Sequence, residues 1–182
     1  MIIGNKEENE KSQIEALEKI APVYMSDVNT LEDAYAMMFD LAMLCGKEEK
    51  GRELITSAKT EMDNCQNIFA GKKMLYCMWY QPWMAVAADT FIDGVLRHLG
   101  FENILKHKSR YPEFIWEEIK ELNPDYIFLS SEPFPFSQRH KGEVLQLMPT
   151  TKVVQVDGER FSWYGSRLIL AGKYFKHLRT QI

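Results

Sequence analysis

The stretch that most constrains how this chain can fold runs from Lys47 to Ala70. It holds no proline and a single glycine, Gly51, while Ile55, Ala58, Met62, Cys65 and Phe69 recur at alternating steps of three and four. That spacing sets them on one side of an α-helix, with Glu, Lys, Asp and Asn elsewhere, so one face is predicted to be buried. At a rise of about 1.5 Å per residue such a helix would span roughly 35 Å, which suits a strut between two lobes better than a short sheet crossover. The same pattern also fits an ordinary amphipathic helix packed across a single domain.

On either side the pattern alternates between strand and helix. Met1 to Gly4 reads as the end of a buried strand, and Asn5 with Glu8 three residues later makes a capping box for a helix through about Ile20. Pro22 to Asp27 is a short strand. Thr30 caps a helix through about Leu44, with Leu31, Ala34, Met38, Leu41 and Met43 as core contacts and Gly46 as its stop. After Gly71 the apolar run KKMLYCMW reads as a central parallel strand. A helix from about Met84 to Leu99 follows, then a polar loop through Pro112 and a short helix from about Ile115 to Leu122. The strand Tyr126 to Leu129, a helix near Lys141 to Leu147, the strand Val153 to Val156 and a terminal helix from Ser162 complete the series. This order predicts an α/β fold with a parallel sheet covered by helices on both faces, and ligands at the carboxyl ends of the strands.

The loops at those ends are rich in aromatics: Trp79 to Met84 after the first strand of the second half, Ser130 to Phe136 after the next, and Asp157 to Tyr164 after the third. Large rings on loops at one sheet edge can build a rigid apolar wall with polar tips, suited to a planar or bulky ligand. They can equally pack against one another.

A formal charge of −4 and a pI near 5.6, without a dense Lys/Arg stripe, exclude a nucleic-acid binder of the phosphate-neutralising kind. No apolar run approaches the roughly 18 residues of a membrane span, and MIIGNKEEN has neither the basic nor the apolar region of a signal peptide. Cys45 and Cys65 fall on helical apolar faces and Cys77 in an apolar strand, so all three read as buried thiols. There is no GxSxG elbow, Walker loop, HExxH or glycine cluster, and the four histidines are too irregularly spaced for metal ligands. No cofactor or bare metal ion is expected. Asp89 and Asp93, one helical turn apart, can do acid/base work but also serve as capping and surface charge.

Several segments, in order across nearly the whole chain, resemble the helical-backbone class of ABC-transporter substrate-binding proteins, the receptors for cobalamin, haem and iron-siderophores. They are Asn5 to Asn9, Pro22 to Asp27, the Lys47–Ala70 strut, Asp89 to Ile92, Gly100 to Ile104, Arg110-Tyr111-Pro112, Leu122 to Asp125 and Phe161 to Arg167. The resemblance implies two parallel-sheet α/β lobes bridged by one long helix. Residues 1–46 would be a remnant of the first lobe, 47–70 the bridge and 71–182 the second lobe. Family members carry a further stretch ahead of the point matching Met1, including a signal sequence and most of the first lobe's sheet, so the first lobe is expected to be incomplete.

By the same resemblance the protein is not an enzyme but the extracytoplasmic, periplasmic or membrane-anchored, component of an importer, handing a metal chelate to an ABC permease. Tyr111 matches an aromatic of the family's cleft, and Glu117 matches the second lobe's permease-docking glutamate. Loop position adds Tyr80, Trp83, Glu132, Phe136, Trp163 and Arg167 as wall candidates. A planar macrocycle would stack on Tyr111, Trp163 and Trp83, whereas an anionic siderophore would lean on Arg110 and Arg167. Two alternatives remain open: a cytoplasmic α/β enzyme using Asp89, Asp93 or Glu132, and a truncated remnant that forms a homodimer through the open edge around Ile2, Ile3, Val23 and Met25.

Overall fold

In the computed structural model, which describes residues 1–182, strands and helices alternate as the pattern requires. The chain begins with β1 (Ile2–Asn5), α1 (Lys11–Glu18), β2 (Val23–Ser26), α2 (Leu31–Leu44) and α3 (Glu48–Asp63). It continues through β3 (Lys72–Trp79), β4 (Met84–Ala85), α4 (Phe91–His98), β5 (Phe101–Asn103) and α5 (Trp116–Leu122). The last part is β6 (Tyr126–Ser130), α6 (Gln138–Leu147), β7 (Lys152–Val156), α7 (Glu159–Ser162), a 3-10 turn at Gly165–Arg167 and α8 (Leu168–Gln181).

Two sheets result. β1 and β2 pair in parallel, Ile2 opposite Val23 and Asn5 opposite Ser26. In the five-stranded sheet β3, β6 and β7 lie side by side in parallel, while antiparallel β4 and parallel β5 also pair with β3. Side chains of β3 and β6 divide between two cores by their period of two. Met74, Tyr76 and Phe128 join residues of α2, α3, α4, α7 and α8, whereas Leu75, Cys77, Ile127 and Leu129 join α5 and α6. The larger sheet is thus covered on both faces.

The central helix is shorter than the sequence pattern predicts. α3 ends at Asp63, which at about 1.5 Å per residue makes it roughly 24 Å long. Turns follow through Gly71, with Asn67 at φ 56°. Backbone N–H groups of Asn67 and Phe69 donate to the carbonyls of His98 and Leu99, at the C-terminal end of α4, and the Phe69 ring stacks on Phe101 at 4.4 Å between centroids. Cys65 and Phe69 therefore stay buried at helical spacing without being in a helix, which is why the pattern overruns. α3 nevertheless lies between α2 and α8. A Cβ on Gly51 would stand 2.4 Å from that of Ala42 in α2, and one on Gly172 of α8 would stand 2.5 Å from the Glu61 carbonyl oxygen. Glycine on each contact lets the backbones meet.

Thr30 caps α2 as expected, in a reciprocal box with Asp33. Other expectations need correction. Asn5 belongs to β1, and its side chain accepts from the Glu8 N–H at 2.7 Å as a turn, so α1 starts only at Lys11. The segment expected as a helix from Met84 is extended through Ala88, its N–H groups spent on carbonyls of Pro112, Arg110 and Lys108; Thr90, accepting from Asp93 N–H, caps α4 at Phe91. Met43 and Cys45 are exposed at the C-terminal end of α2, whose buried face instead carries Leu31, Ala34, Tyr35 and Met38. The terminal helix begins at Leu168, after the short α7 and the 3-10 turn.

Candidate functional site: a cleft between the two sheets

The segments that leave β1 and β2 face those that leave β6 and β7, together with the start of α4 and Tyr111, in keeping with the carboxyl-end rule for parallel strands. Between them lies a cleft of about 620 Å³. Glu7, Glu8 and Asp27 line it from the small sheet; Phe91, Tyr111, Glu132, Trp163 and Tyr164 line it from the large one. Its apolar part is an edge-to-face pair of Phe91 and Tyr164, 5.2 Å between centroids, flanked by Val28, Met78 and Ile92. Trp163 is 44% exposed, so its ring is available to a ligand.

Glu132 is aimed by a tight loop. Ser130 Oγ accepts from the Tyr76 hydroxyl at 3.0 Å and from the Glu132 N–H at 3.3 Å, and Ser162 Oγ donates to Glu132 Oε1 at 2.7 Å. Gly158, after β7, permits this: a Cβ there would lie 2.4 Å from Ser130 Oγ and 2.6 Å from Glu132 Cγ. Burial pushes the Tyr76 phenol up, so it stays a neutral donor.

Across the mouth, the Tyr111 hydroxyl donates to Glu7 Oε1 at 2.9 Å and Arg110 Nη2 donates to Glu7 Oε2. One carboxylate from the loop after β1 is thus tied to two side chains of the large-sheet half. Burial, and then the hydrogen bond to Glu7, raise the Tyr111 phenol. The Arg110 guanidinium is raised chiefly by Glu7. Asp27 is held below the usual carboxylate range by its hydrogen bond to Lys6.

Of the wall candidates, the structure brings Tyr111, Glu132 and Trp163 to the cleft and leaves the others outside it. Tyr80, Trp83 and Phe136 pack with Phe134, Trp116 and His140 in an aromatic cluster on the opposite face of the large sheet, Trp83 stacked on Phe136 at 5.6 Å. That outcome follows from strand alternation and from the α6 side, where Tyr80 OH donates to Glu143 at 3.2 Å. Arg167 stacks on the Trp163 ring at 5.2 Å and does not line the cleft, and Arg110 is engaged by Glu7 and the Asp89 carbonyl. Glu117 is exposed on the first turn of α5; its neighbour Glu118 pairs with Lys108 at 2.8 Å. Asp93 is buried and its carboxylate is used by Arg97 and Asn103, both at 2.9 Å, while Asp89 sits in a turn at φ 60°. Asp93 therefore acts as a structural hub for α4 and β5. No group of three or more His, Cys, Asp or Glu is arranged to hold a metal ion.

Sequence reasoning missed Glu7, Glu8, Asp27 and Phe91. The first three directly follow β1 and β2, so the carboxyl-end rule, applied to the small sheet as well as the large one, would have found them.

Two sheets facing each other across an aromatic cleft, with helix α3 packed between α2 and α8, define a bilobal α/β ligand-binding protein. The chain belongs to the periplasmic binding protein family, whose sequence profile matches residues 1–153. The fold is shared with a possible iron-binding, periplasmic solute-binding protein from Staphylococcus epidermidis (TM-score 0.79, 17% identity, covering 98% of this chain and 74% of that one). It is shared too with the periplasmic haem-binding protein BhuT (TM-score 0.80, 16% identity, 98% and 74%). The vitamin B12 binding protein BtuF of Vibrio cholerae is similar as well (TM-score 0.72, 16% identity, 99% and 73%). The chain thus spans about three quarters of the length of these proteins. No curated protein sequence matches it. No helix is long and apolar enough to cross a membrane.

Proposed function

We propose that this chain captures a metal chelate outside the cytoplasmic membrane and delivers it to an ABC permease. The observation that carries the reading is the cleft itself: about 620 Å³ between two sets of strand ends, with Tyr111, Trp163, Tyr164 and Phe91 as ring surfaces. That volume falls in the range of small-molecule sites, and the rings offer stacking area to a chelate's organic shell. Without a Cys/His/Asp/Glu set to hold a bare ion, the metal would arrive already wrapped. Similarity to proteins named for haem, vitamin B12 and iron supports the class of cargo. Titration with cobalamin, haemin and ferric siderophores, followed by Trp fluorescence, tests this. Saturable binding of at least one chelate is expected; saturation by free iron with none of the chelates would sink the reading.

Glu117 is our proposed docking carboxylate for the permease, exposed on α5 and absent from the cleft lining. We also propose that the small sheet self-associates. A two-stranded sheet has open edges that seek partners, and Ile3 of β1 is 59% exposed. A monomer at high concentration by light scattering would contradict that.

A further inference from the structure

The charge around the cleft is one-sided. Four carboxylates line it, Glu7, Glu8, Asp27 and Glu132, and no lysine or arginine does. Lys6 and Arg110 line an adjoining polar groove that shares Glu7 and Asp27 with the cleft, and there they pair with Asp27 and Glu7. Glu8 and Glu132 have no such partner. The Glu8 side chain makes no hydrogen bond or ion pair within the chain, and Glu132 receives only the neutral Ser162 hydroxyl. The two come from opposite sides, Glu8 after β1 and Glu132 after β6, beside the open ring of Trp163. Arg167 already stacks on that ring at 5.2 Å, so the indole serves as a cation-binding surface.

We infer that the cleft selects chelates that are net cationic or present an ammonium group, with the positive group held between Glu8 and Glu132 and the apolar body laid on the Phe91, Tyr164 and Trp163 rings. This rests on the cleft being the ligand site. An anionic chelate entering it would meet two uncompensated carboxylates in a partly desolvated space, where like charges repel more strongly than in water. The arginines that an anionic siderophore would need are engaged or lie outside.

The test uses a matched pair of ferric trihydroxamates, ferrioxamine B with its pendant ammonium and the N-succinyl derivative with a carboxylate in its place, together with haemin, which carries two propionates. The ammonium form is expected to bind at least about tenfold more tightly than the succinyl form, a gap that narrows as salt is raised. Glu132→Gln keeps the shape and the acceptor for Ser162, and Glu8→Gln is exposed. Each should reduce the preference about threefold or more, with the folded circular-dichroism spectrum unchanged. Equal or tighter binding of the succinyl form or haemin, or a preference untouched by both variants, would overturn the charge selection while leaving the cleft as the ligand site. If none of the three binds the charge inference fails, and a parallel titration with neutral cyanocobalamin tells whether the ligand site falls with it.

Discussion

Glu117 stands at the first turn of α5 with its carboxylate in solvent, where it complements the helix dipole and is available to a partner. Glu117→Ala should leave chelate affinity within a factor of about two, because an exposed charge outside the cleft contributes little there. Uptake through the permease should fall roughly five- to a hundredfold, the range expected when a charge-assisted contact is lost. Loss of chelate binding with transport kinetics otherwise intact would reverse these roles. Gly158 is a second residue at which a single atom decides the outcome. An alanine there would press its Cβ on Ser130 Oγ and Glu132 Cγ, with the Glu132 backbone nitrogen 3.1 Å away. Gly158→Ala should cost about 1–3 kcal/mol in denaturant unfolding, as overpacking does, and shift Glu132 out of register with Ser162. Unchanged stability would mean that the loop has more room than the structure gives it. Glu117 was legible through the family resemblance, but the Gly158 constraint was not. Gly158 is a lone glycine after a strand, and only the folded neighbours reveal what it avoids.

Among the elements, the start of α2 was legible, whereas the start of α4 and the end of α3 were not. Thr30 with Asp33 fixes the start of α2 by side-chain chemistry within four residues, so a local reading sufficed. The end of α3 is set by its tertiary partners, the carbonyls of His98 and Leu99, which no local pattern contains. Alternation in β3 and β6 told that two faces are buried but not which loops each face would feed, so Tyr80, Trp83 and Phe136 were expected at the cleft and lie across the sheet. The α3–α8 contact gives a test by contrast. A Cβ on Gly172 would meet the Glu61 backbone at 2.5 Å, whereas one on Gly142 in α6 meets nothing within 4 Å. Gly172→Ala should lower stability by about 1–3 kcal/mol, and Gly142→Ala should raise it by about 0.5–1 kcal/mol through helix propensity. The same sign for both in thermal or urea unfolding would contradict the packing described for α3.

At the scale of the whole molecule, stability should fall steeply in alkali. Burial, aided by the hydrogen bond to Asp40, pushes the Tyr24 phenol from 10.0 to about 12, and burial with the nearby Asp63 charge does the same to Tyr35. Tyr76 and Tyr111 shift in the same direction. These phenols hold their protons more tightly folded than unfolded. Their contribution is therefore complete below pH 10 and is lost as pH rises from about 10 through about 12. Unfolding free energy followed by circular dichroism should drop across that window, and a flat profile to pH 12 would contradict the burial assigned to these tyrosines. The central claim is that capture happens between the two sheets, and a crystal structure of the chain with whichever chelate binds most tightly tests it directly. The account predicts the chelate in the cleft, in contact with Tyr111, Trp163 and Glu132; a chelate bound against the Tyr80, Trp83 and Phe136 cluster, or on the outer surface, would contradict it.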